Sequence, residues 1–285
     1  MKKNENIFLS VKDYSVTDEN FELLYNEDLG MLETFPQPLP ERIPDYYNSK
    51  DYISHTDSKR NLIENVYQIV KSISIKRKLK LIKRISTNGK RLLDFGCGTG
   101  DFLVVAKNKG WKVVGIEPNV KARKIANVKT EGAVFETGQI SNFETNVFDV
   151  ITLWHVFEHL PNLEEQIISF KKLLKPDGVL IIAVPNYRSY DAGYYKEFWA
   201  AYDVPRHLWH FSKSSISKLF DRHEMKVERT LPMFFDAYYV SLLSEKYKSG
   251  FMNPLKAFWT GTLSNLKAKR SGEYSSLIYI IKNSQ

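Results

Sequence analysis

The sequence of 285 residues predicts an α/β protein built on a doubly wound parallel sheet. Short apolar runs alternate with helical patterns from about residue 90 to residue 231, which is typical of strands joined by crossover helices. A glycine-rich turn follows the first of these runs and leads directly into a helical pattern. Ahead of the sheet, apolar side chains recur at helical spacing from Ser58 to about Ile85. These observations predict a helix followed by a Rossmann-like domain.

The remaining elements follow in a regular order. Strands are expected at about 90–95, 112–117, 132–136, 147–154 and 178–184, with helices at about 100–109, 119–127 and 163–174. A helix at 213–223 and a strand at 225–231 come next, then a helical insertion over about 234–268 and a last strand at 276–281. The stop-and-turn signal at 175–178 separates the third helix from the strand after it.

The front of the chain has a different character. Residues 1 to about 60 are rich in aromatic, acidic and proline residues, and the prolines argue against regular structure between Phe35 and Pro44. The predicted organisation has an N-terminal arm or lid with its helix at 1–75, a main domain at 76–233 plus 272–285, and a helical insertion at 234–271.

Composition limits the class of protein. Hydrophobic content of 43% and charged content of 26% are ordinary for a globular chain. The single cysteine, Cys97, forms no disulfide within the chain, which fits a reducing compartment and a cytoplasmic protein. No signal-peptide pattern or membrane-spanning apolar stretch is present. The net charge of +8 permits acidic partners, although such charge is usually a solvated face.

The turn after the first strand predicts a ligand that contains a nucleoside. Glycines at 96, 98 and 100 allow the backbone to lie against a ligand, and the helix that follows presents its N–H groups there. About twenty residues after the first glycine, a second strand ends in Glu117, whose carboxylate can accept both ribose hydroxyls. We therefore expect a nucleoside ligand at the carboxyl edge of the sheet.

The spacing of the turn favours S-adenosylmethionine over a nicotinamide dinucleotide. The dinucleotide pattern is G-x-G-x-x-G, whereas this chain has Asp94 two residues before the first of three alternate glycines. A carboxylate beside the ligand repels phosphate and suits a cation, such as an amino group or a sulfonium.

On these residues the chain resembles class I S-adenosylmethionine-dependent methyltransferases. Segment 93–100 resembles their first motif, 148–160 the motif of the fourth strand and 173–180 the entry to the fifth. Segments 184–186 and 205–212 resemble a subgroup that includes ubiquinone-type O-methyltransferases and bacterial sugar- or polysaccharide-associated enzymes. The resemblance implies a seven-stranded sheet whose last strand is antiparallel and lies between the two strands before it.

The resemblance also implies the cofactor site. An acid that reads the adenine amino group is usual after the third strand, and Gln139 stands there instead. Tyr52 and His55 belong to an arm that closes over the cofactor in relatives. The expected cofactor-binding residues are Asp94, Phe95, Gly96, Cys97, Gly98, Gly100, Glu117, Pro118, Gln139, Ile140, Trp154, Tyr52 and His55.

Candidate catalytic residues cluster after the fourth strand. His155, Glu158 and His159 share one face of a helical turn, and His207 lies in a long loop expected over the same rim. In one interpretation a histidine is the general base and a carboxylate fixes its tautomer. In the other, the cluster holds a divalent metal; metal-dependent relatives carry Glu-x-x-Glu-His, and His155 replaces their first ligand. We predict a catalytic site without a metal ion.

The sequence thus predicts a methyltransferase acting on a small-molecule or glycan-type acceptor. Nucleic acid is not an expected partner, because the lysines are scattered and a base-flipping motif is missing. Oxygen is the expected methylated atom. A non-catalytic regulatory or assembly protein that binds S-adenosylmethionine is the alternative. Aromatic residues among lysines in the insertion leave contact with a membrane or a lipid-linked acceptor open, and the oligomeric state is not predicted.

Overall fold

The computed structural model describes residues 6–47, 62–86 and 89–284. The strands are β1 (Ile7–Lys12), β2 (Asn20–Asn26), β3 (Met31–Phe35), β4 (Arg91–Phe95), β5 (Lys112–Ile116), β6 (Val134–Phe135), β7 (Phe148–Trp154), β8 (Leu174–Pro185), β9 (Trp209–His210), β10 (Met225–Pro232) and β11 (Ser276–Asn283). The α-helices are α1 (Leu62–Ile85), α2 (Asp101–Lys107), α3 (Val120–Thr130), α4 (Leu163–Leu173), α5 (Tyr190–Tyr195), α6 (Lys213–Asp221), α7 (Asp236–Ser249) and α8 (Pro254–Ser271).

The main sheet has seven strands in the order β10-β11-β8-β7-β4-β5-β6. The five strands from β4 to β8 pair in parallel, and β11 pairs antiparallel with both β8 and β10. The last strand therefore lies between β8 and β10, the two strands of this sheet that precede it in the chain. This confirms the predicted doubly wound, seven-stranded topology.

The central strands are mostly apolar because helices cover both faces of the sheet. Successive residues of a strand point to opposite faces. Leu93 and Ile151 pack in one core layer, and Leu92 and Val150 pack in the layer on the other side. Both layers are closed to solvent, so the carboxyl edge of the parallel strands is the place where polar side chains can collect.

Residues 7–35 form a small antiparallel sheet that the sequence analysis did not predict. β1, β2 and β3 pair in order, and β9 adds a fourth strand through the pairing of Leu32 with His210. A 3-10 helix at Pro40–Tyr47 follows, so the prediction of no regular structure up to Pro44 is wrong in that stretch. The pairing with β9 brings the front of the chain onto the loop that carries His207.

The insertion is a helical hairpin made of α7 and α8. Asn253 caps α8 by accepting a hydrogen bond from the Lys256 amide, Pro254 occupies the first turn, and Gly272 ends the helix in a left-handed conformation. The hairpin leaves the sheet after β10 and returns at β11, where the Met233 amide donates to the Ser276 carbonyl at 3.1 Å. None of the described helices is long and apolar enough to cross a membrane. A cytoplasmic location stays a prediction.

Candidate active site

The glycine turn connects β4 to α2 at the carboxyl edge of the sheet. Gly96 has φ of +74°, and a Cβ at this position would lie 2.3 Å from a methyl of Val156. Gly98 also has positive φ, but no described atom lies within 4 Å of the place where its Cβ would be. The turn therefore packs tightly on one side and is open at Gly98, which is the form a ligand cradle takes.

Asp94 ends β4 beneath this opening. Its side chain is buried, and Oδ1 accepts a hydrogen bond from Thr152 Oγ1 at 2.6 Å. Burial raises the pKa of Asp94 to about 6, and the Thr152 hydrogen bond and the Lys78 charge only partly oppose it. A buried carboxylate that ionises with difficulty is stabilised by a nearby cation. Asp94 therefore fits the amino group or the sulfonium of S-adenosylmethionine.

Glu117 follows β5 and faces the same turn. Its Oε2 accepts the Gly98 amide at 2.8 Å, and its Oε1 accepts the Asn119 amide at 2.9 Å. The carbonyl of Pro118 accepts a hydrogen bond from Arg123 at 2.9 Å, which fixes the turn into α3. The carboxylate is thus held at the rim of the glycine turn, where the ribose hydroxyls of a nucleoside are expected.

Several residues predicted to bind the cofactor have a packing role in this structure. The Phe95 ring lies in the core, edge-on to Phe170 at 5.3 Å between ring centres, so only its backbone is available to a ligand. Gly100 makes room for Ala126 of α3. Cys97 packs against the core near Gly115, and burial raises the pKa of its thiol. The sequence alone could not show which residues of the turn pack against the protein and which face a ligand.

The predicted adenine contacts lie at the rim of the sheet. Gln139 is exposed, and its Oε1 accepts the Glu136 amide at 3.2 Å, so binding an adenine amino group would require it to leave that partner. Ile140 is half-buried against the core. Tyr52 and His55 lie outside the described residues, so their expected contacts with the cofactor stay predictions.

Trp154 ends β7 beside the cofactor turn. Its ring is edge-on to Phe102, and the Nζ of Lys78 lies 4.5 Å from the ring centre. Among the described residues, its buried Nε1 has no hydrogen-bond partner. Burial lowers the pKa of Lys78, whereas Asp94 and Asp236 act to raise it. Lys78 therefore lies between the cofactor turn and the groups that follow Trp154.

A cavity of about 630 Å³ opens next to this point. Its walls come from the N-terminal sheet, the loop at 200–207, the first residues after β7 and helix α7. The lining residues include Tyr14, Tyr46, His155, His159, Asp203, Arg206, His207, Asp236, Tyr239 and Tyr247. We call it the acceptor cavity, because it is large enough for a small molecule and His155 in its wall directly follows Trp154 in the chain.

His155 adopts a left-handed backbone conformation with φ of +56° directly after β7. Its Nε2 lies 3.0 Å from Asp236 Oδ2, and its Nδ1 lies 3.4 Å from Glu158 Oε1. Burial acts to lower the pKa of His155, but Asp236 and Glu158 outweigh it and raise the pKa to about 10. A protonated imidazole cannot accept another proton, so the pairing of His155 with Asp236 and Glu158 argues against a general-base role for it.

Glu158, His159 and His207 form a compact cluster in the wall of the acceptor cavity. One ligand atom from each lies within 4.8 Å of the others. His159 Nδ1 contacts the Arg206 carbonyl and His207 Nδ1 contacts the Ala201 carbonyl, both at 2.9 Å. A carbonyl only accepts, so each imidazole donates this hydrogen bond from a proton on Nδ1.

The charge state of this cluster follows from its burial. Glu158 is 1% exposed, and its Oε1 lies 3.4 Å from His155 Nδ1 and 3.9 Å from His207 Nε2. Burial acts to raise the pKa of Glu158, but His155 and His207 outweigh it and keep the pKa below its usual value. Burial lowers the pKa of His159 to about 4, so this imidazole is neutral near pH 7. An ionised carboxylate beside the neutral His159 imidazole fits a divalent cation as well as it fits a base.

A family model described as a methyltransferase domain matches residues 71–230, which is more than half of the chain. The chain belongs to the methyltransferase domain family. The class I S-adenosylmethionine-dependent methyltransferase predicted from the sequence is thereby confirmed, as are its fold and its methyl donor.

Curated relatives match about a third of the chain. A ubiquinone biosynthesis O-methyltransferase of Actinobacillus pleuropneumoniae is 38% identical over 109 residues, covering 34% of this chain and 47% of that protein. An uncharacterized methyltransferase of Oceanobacillus iheyensis is 32% identical over 106 residues, covering 36% of this chain and 50% of that protein. The chain thus spans about half the length of the curated relatives it matches.

Solved structures show the same fold at low identity. A methyltransferase of Archaeoglobus fulgidus is 17% identical and gives a TM-score of 0.51, covering 73% of this chain and 93% of that one. The magnesium protoporphyrin IX methyltransferase of Synechocystis, solved with S-adenosylhomocysteine, is 15% identical and gives a TM-score of 0.54, covering 86% of this chain and 99% of that one. This similarity shows the fold alone.

Sequence analysis of the methyltransferase missed part of the acceptor cavity. Asp236 pairs with His155 although the two residues are 81 positions apart, and no motif signals the pair. Asp203 and Arg206 come shortly before the predicted His207 in the chain. The Arg206 guanidinium lies 2.7 Å from Asp203 and 2.9 Å from Asp13, which follows the first strand of the N-terminal sheet. The proximity of Asp203 and Arg206 to His207 in sequence was the only available signal for these groups.

Proposed function

We propose that this methyltransferase transfers a methyl group to an oxygen atom of a small-molecule or glycan-type acceptor. The observation that carries the proposal is the acceptor cavity, which begins at His155, one residue after the Trp154 end of β7. Donor and acceptor would therefore meet at the same strand end. The names of the ubiquinone biosynthesis O-methyltransferases support oxygen as the methylated atom.

On the cofactor side of the site, the two acidic residues Asp94 and Glu117 have separate roles. Bound S-adenosylmethionine supplies a methyl group on a positively charged sulfur. Asp94 offers a buried carboxylate to the positive charge of the methionine part, and Glu117 offers two oxygens to the ribose hydroxyls. The open space at Gly98 allows the ligand to lie against the backbone. These residues fit the cofactor without a change in the fold of the turn.

We assign the removal of the acceptor proton to His207. Its Nδ1 is held by the Ala201 carbonyl, and its Nε2 lies 3.9 Å from Glu158 Oε1. An ionised carboxylate beside a histidine stabilises the imidazolium that forms when the histidine takes a proton. His155 and Asp236 would complete the wall that orients the acceptor.

A divalent cation is a second way for the same cluster to act. Glu158, His159 and His207 each bring one ligand atom within 4.8 Å of the others, and no described donor makes a hydrogen bond to Glu158 Oε2. A cation held by these three residues would lower the pKa of an acceptor hydroxyl and remove the need for an imidazole base. Calorimetric titration with Mn²⁺ tests this directly, and Glu158→Gln should abolish the binding. A chelator-treated enzyme with undiminished transfer excludes the cation.

Transfer of labelled methyl groups from S-adenosylmethionine into fractionated small-molecule and glycan extracts tests the reaction. His207→Ala should slow transfer at least about a hundredfold, because general bases contribute that much or more. Its affinity for S-adenosylhomocysteine should change less than about twofold, since His207 does not touch the cofactor turn. His223→Ala, a histidine outside the acceptor cavity, is the matched control. Cofactor binding with no labelled product in any fraction would favour the non-catalytic alternative.

A further inference from the structure

Helix α8 is amphipathic in the direction opposite to that of most helices in globular proteins. The side chains that it buries are small or polar: Ala257, Thr260, Gly261, Ser264, Asn265 and Ala268. The side chains that it exposes on the opposite face are large and apolar: Leu255, Phe258, Trp259, Leu263 and Leu266. A surface helix normally buries its large apolar residues. Burial within the protein therefore does not account for the exposed face.

The small buried residues have a packing explanation of their own. A Cβ added to Gly261 would lie 2.8 Å from the Tyr238 ring and 3.1 Å from the Ala237 backbone. Helix α7 also buries small side chains, at Ala237, Ser241 and Ser244, and Ala237 is the one that lies against Gly261. Small residues allow two helices to approach closely. This contact occupies the inner face of α8 and directs its large side chains away from the protein.

The exposed side chains form one continuous stripe. Leu255 is 78% exposed, Trp259 64% and Leu266 51%. Their spacing of four and seven residues keeps them on one side of the helix, over a length of about 16 Å at 1.5 Å per residue. Phe251 and Met252, at the tip of the hairpin, extend the stripe and are 61% and 42% exposed. An apolar surface of this size on a soluble protein marks an interaction site.

The charges beside the stripe are positive. The hairpin at 236–271 has six basic residues and two acidic ones. Both acids have partners, since Asp236 contacts His155 and the buried Glu245 contacts Lys256 at 3.1 Å. Lys269 and Arg270 are exposed on the last turn of α8. Any partner of this surface must cover apolar side chains and tolerate a basic border.

We propose that the hairpin docks on the surface of an anionic lipid bilayer, with the stripe of α8 inserted at the boundary between headgroups and acyl chains. Aromatic and leucine side chains on one face with lysine and arginine at its border match this location. A second copy of the chain fits less well, because a symmetric contact through the same surface would bring two basic borders together.

Docking would also place the acceptor cavity at the membrane surface. Helix α7 lines that cavity through Tyr239, Val240 and Leu243, while α8 packs on another face of α7. An acceptor with a lipid anchor could then enter without leaving the bilayer. This last step depends on the proposed methyl transfer, whereas the docking itself does not.

Flotation of the full chain with vesicles tests the docking. We expect binding to vesicles of equal parts phosphatidylglycerol and phosphatidylcholine, and weaker binding to phosphatidylcholine alone or at high salt. The variant Leu255→Ser with Trp259→Ser and Leu263→Ser should lower the vesicle-bound to free ratio at least about tenfold, because it removes three inserted side chains.

The control variant removes exposed apolar side chains elsewhere. Val120→Ser, Val128→Ser and Ile168→Ser alter residues on α3 and α4 that are 54%, 85% and 43% exposed. This variant should bind vesicles like the parent. Both variants should keep their affinity for S-adenosylhomocysteine, which shows that the fold and the proposed cofactor site are intact whatever happens to docking.

Tryptophan fluorescence locates the contact. Brominated acyl chains should quench the parent in anionic vesicles, and Trp259→Phe should lose most of that quenching. Equal flotation of the parent and the stripe variant would overturn the proposal. So would the absence of vesicle binding together with a dimer, seen by sedimentation, that the stripe variant converts to a monomer, because the stripe would then be a subunit interface.

Discussion

Glu117 is the residue on which we expect recognition of the ribose to depend. Hydrogen bonds to a charged group contribute roughly 1.5–3 kcal/mol. Glu117→Gln keeps the shape of the side chain but removes the charge, so we expect the affinity for S-adenosylhomocysteine to fall at least about tenfold in calorimetry. Glu136→Gln, an exposed acid after the next strand, should leave the affinity unchanged. An unchanged affinity in Glu117→Gln would show that the ribose is bound elsewhere.

Asp94 gives cofactor binding a dependence on pH. Its pKa is raised to about 6, so the folded protein holds a proton on Asp94 more tightly than the unfolded chain does. The contribution of Asp94 therefore makes the free energy of unfolding fall as the pH rises from the ordinary pKa of an aspartate toward 6. Above that pH Asp94 causes no further change.

A cationic ligand favours the ionised carboxylate, so the effect on binding has the opposite sign. Affinity for S-adenosylhomocysteine, which retains the amino group, should weaken as the pH falls below about 6, by at most about tenfold per pH unit. Titrations between pH 5 and 8, roughly one unit below the Asp94 pKa to two above it, measure this. Asp94→Asn should bind more weakly and lose the dependence; a parent protein with a flat profile would contradict the assignment.

At the scale of elements, Arg206 links the loop before β9 to the N-terminal sheet. Its side chain is 8% exposed and pairs with Asp13, which is buried. Removing one partner of a buried ion pair typically costs about 3–5 kcal/mol. Arg206→Ala should lower the free energy of unfolding by about that amount in denaturant titrations and increase hydrogen exchange in β1–β3. Arg42→Ala, which breaks an exposed pair with Glu19, should cost less than about 1 kcal/mol.

The elements of the main sheet could be predicted because their patterns are local. Strand β7 is a mostly apolar run between turns, and Asp94 near the end of β4 and Glu117 after β5 stand at a recognisable separation. The N-terminal sheet could not be predicted in this way. Ile7 and Phe8 of β1 are half exposed, and β3 is completed by β9, which lies more than 170 residues further along the chain. Long-range pairing of this kind leaves no periodic signal in the sequence.

The same distinction applies to the candidate site. The cofactor turn is one continuous segment, so its composition predicts its ligand. The acceptor cavity draws Tyr14, His155, His207 and Asp236 from four separate parts of the chain. Only the histidines were predicted, because they stand beside recognisable motifs. Their protonation states depend on partners such as Asp236 that only the folded chain brings near.

At the scale of the whole molecule, the cofactor site and the acceptor cavity rest on different parts of the fold. Replacing residues 236–271 with a short glycine-serine linker should leave affinity for S-adenosylhomocysteine within about threefold of the parent, because Asp94 and Glu117 lie at the ends of β4 and β5. Stability should fall, since Asp191 loses its hydrogen bond from Ser264 and Tyr195 loses Glu245. Calorimetry and thermal unfolding measure the two effects. Loss of cofactor binding in a folded variant would show that the hairpin is part of the donor site.

The hydrogen bond from Met233 to Ser276 means that the chain leaves the sheet and re-enters it at neighbouring positions. Everything between these positions amounts to an enlarged connection of a β-hairpin, so its length and composition can vary while the strand register stays the same. We therefore expect changes in the hairpin to alter the acceptor cavity and to leave the cofactor turn as it is. In protein engineering, the hairpin is the segment to vary when new acceptors are sought, because the cofactor site can be left unchanged.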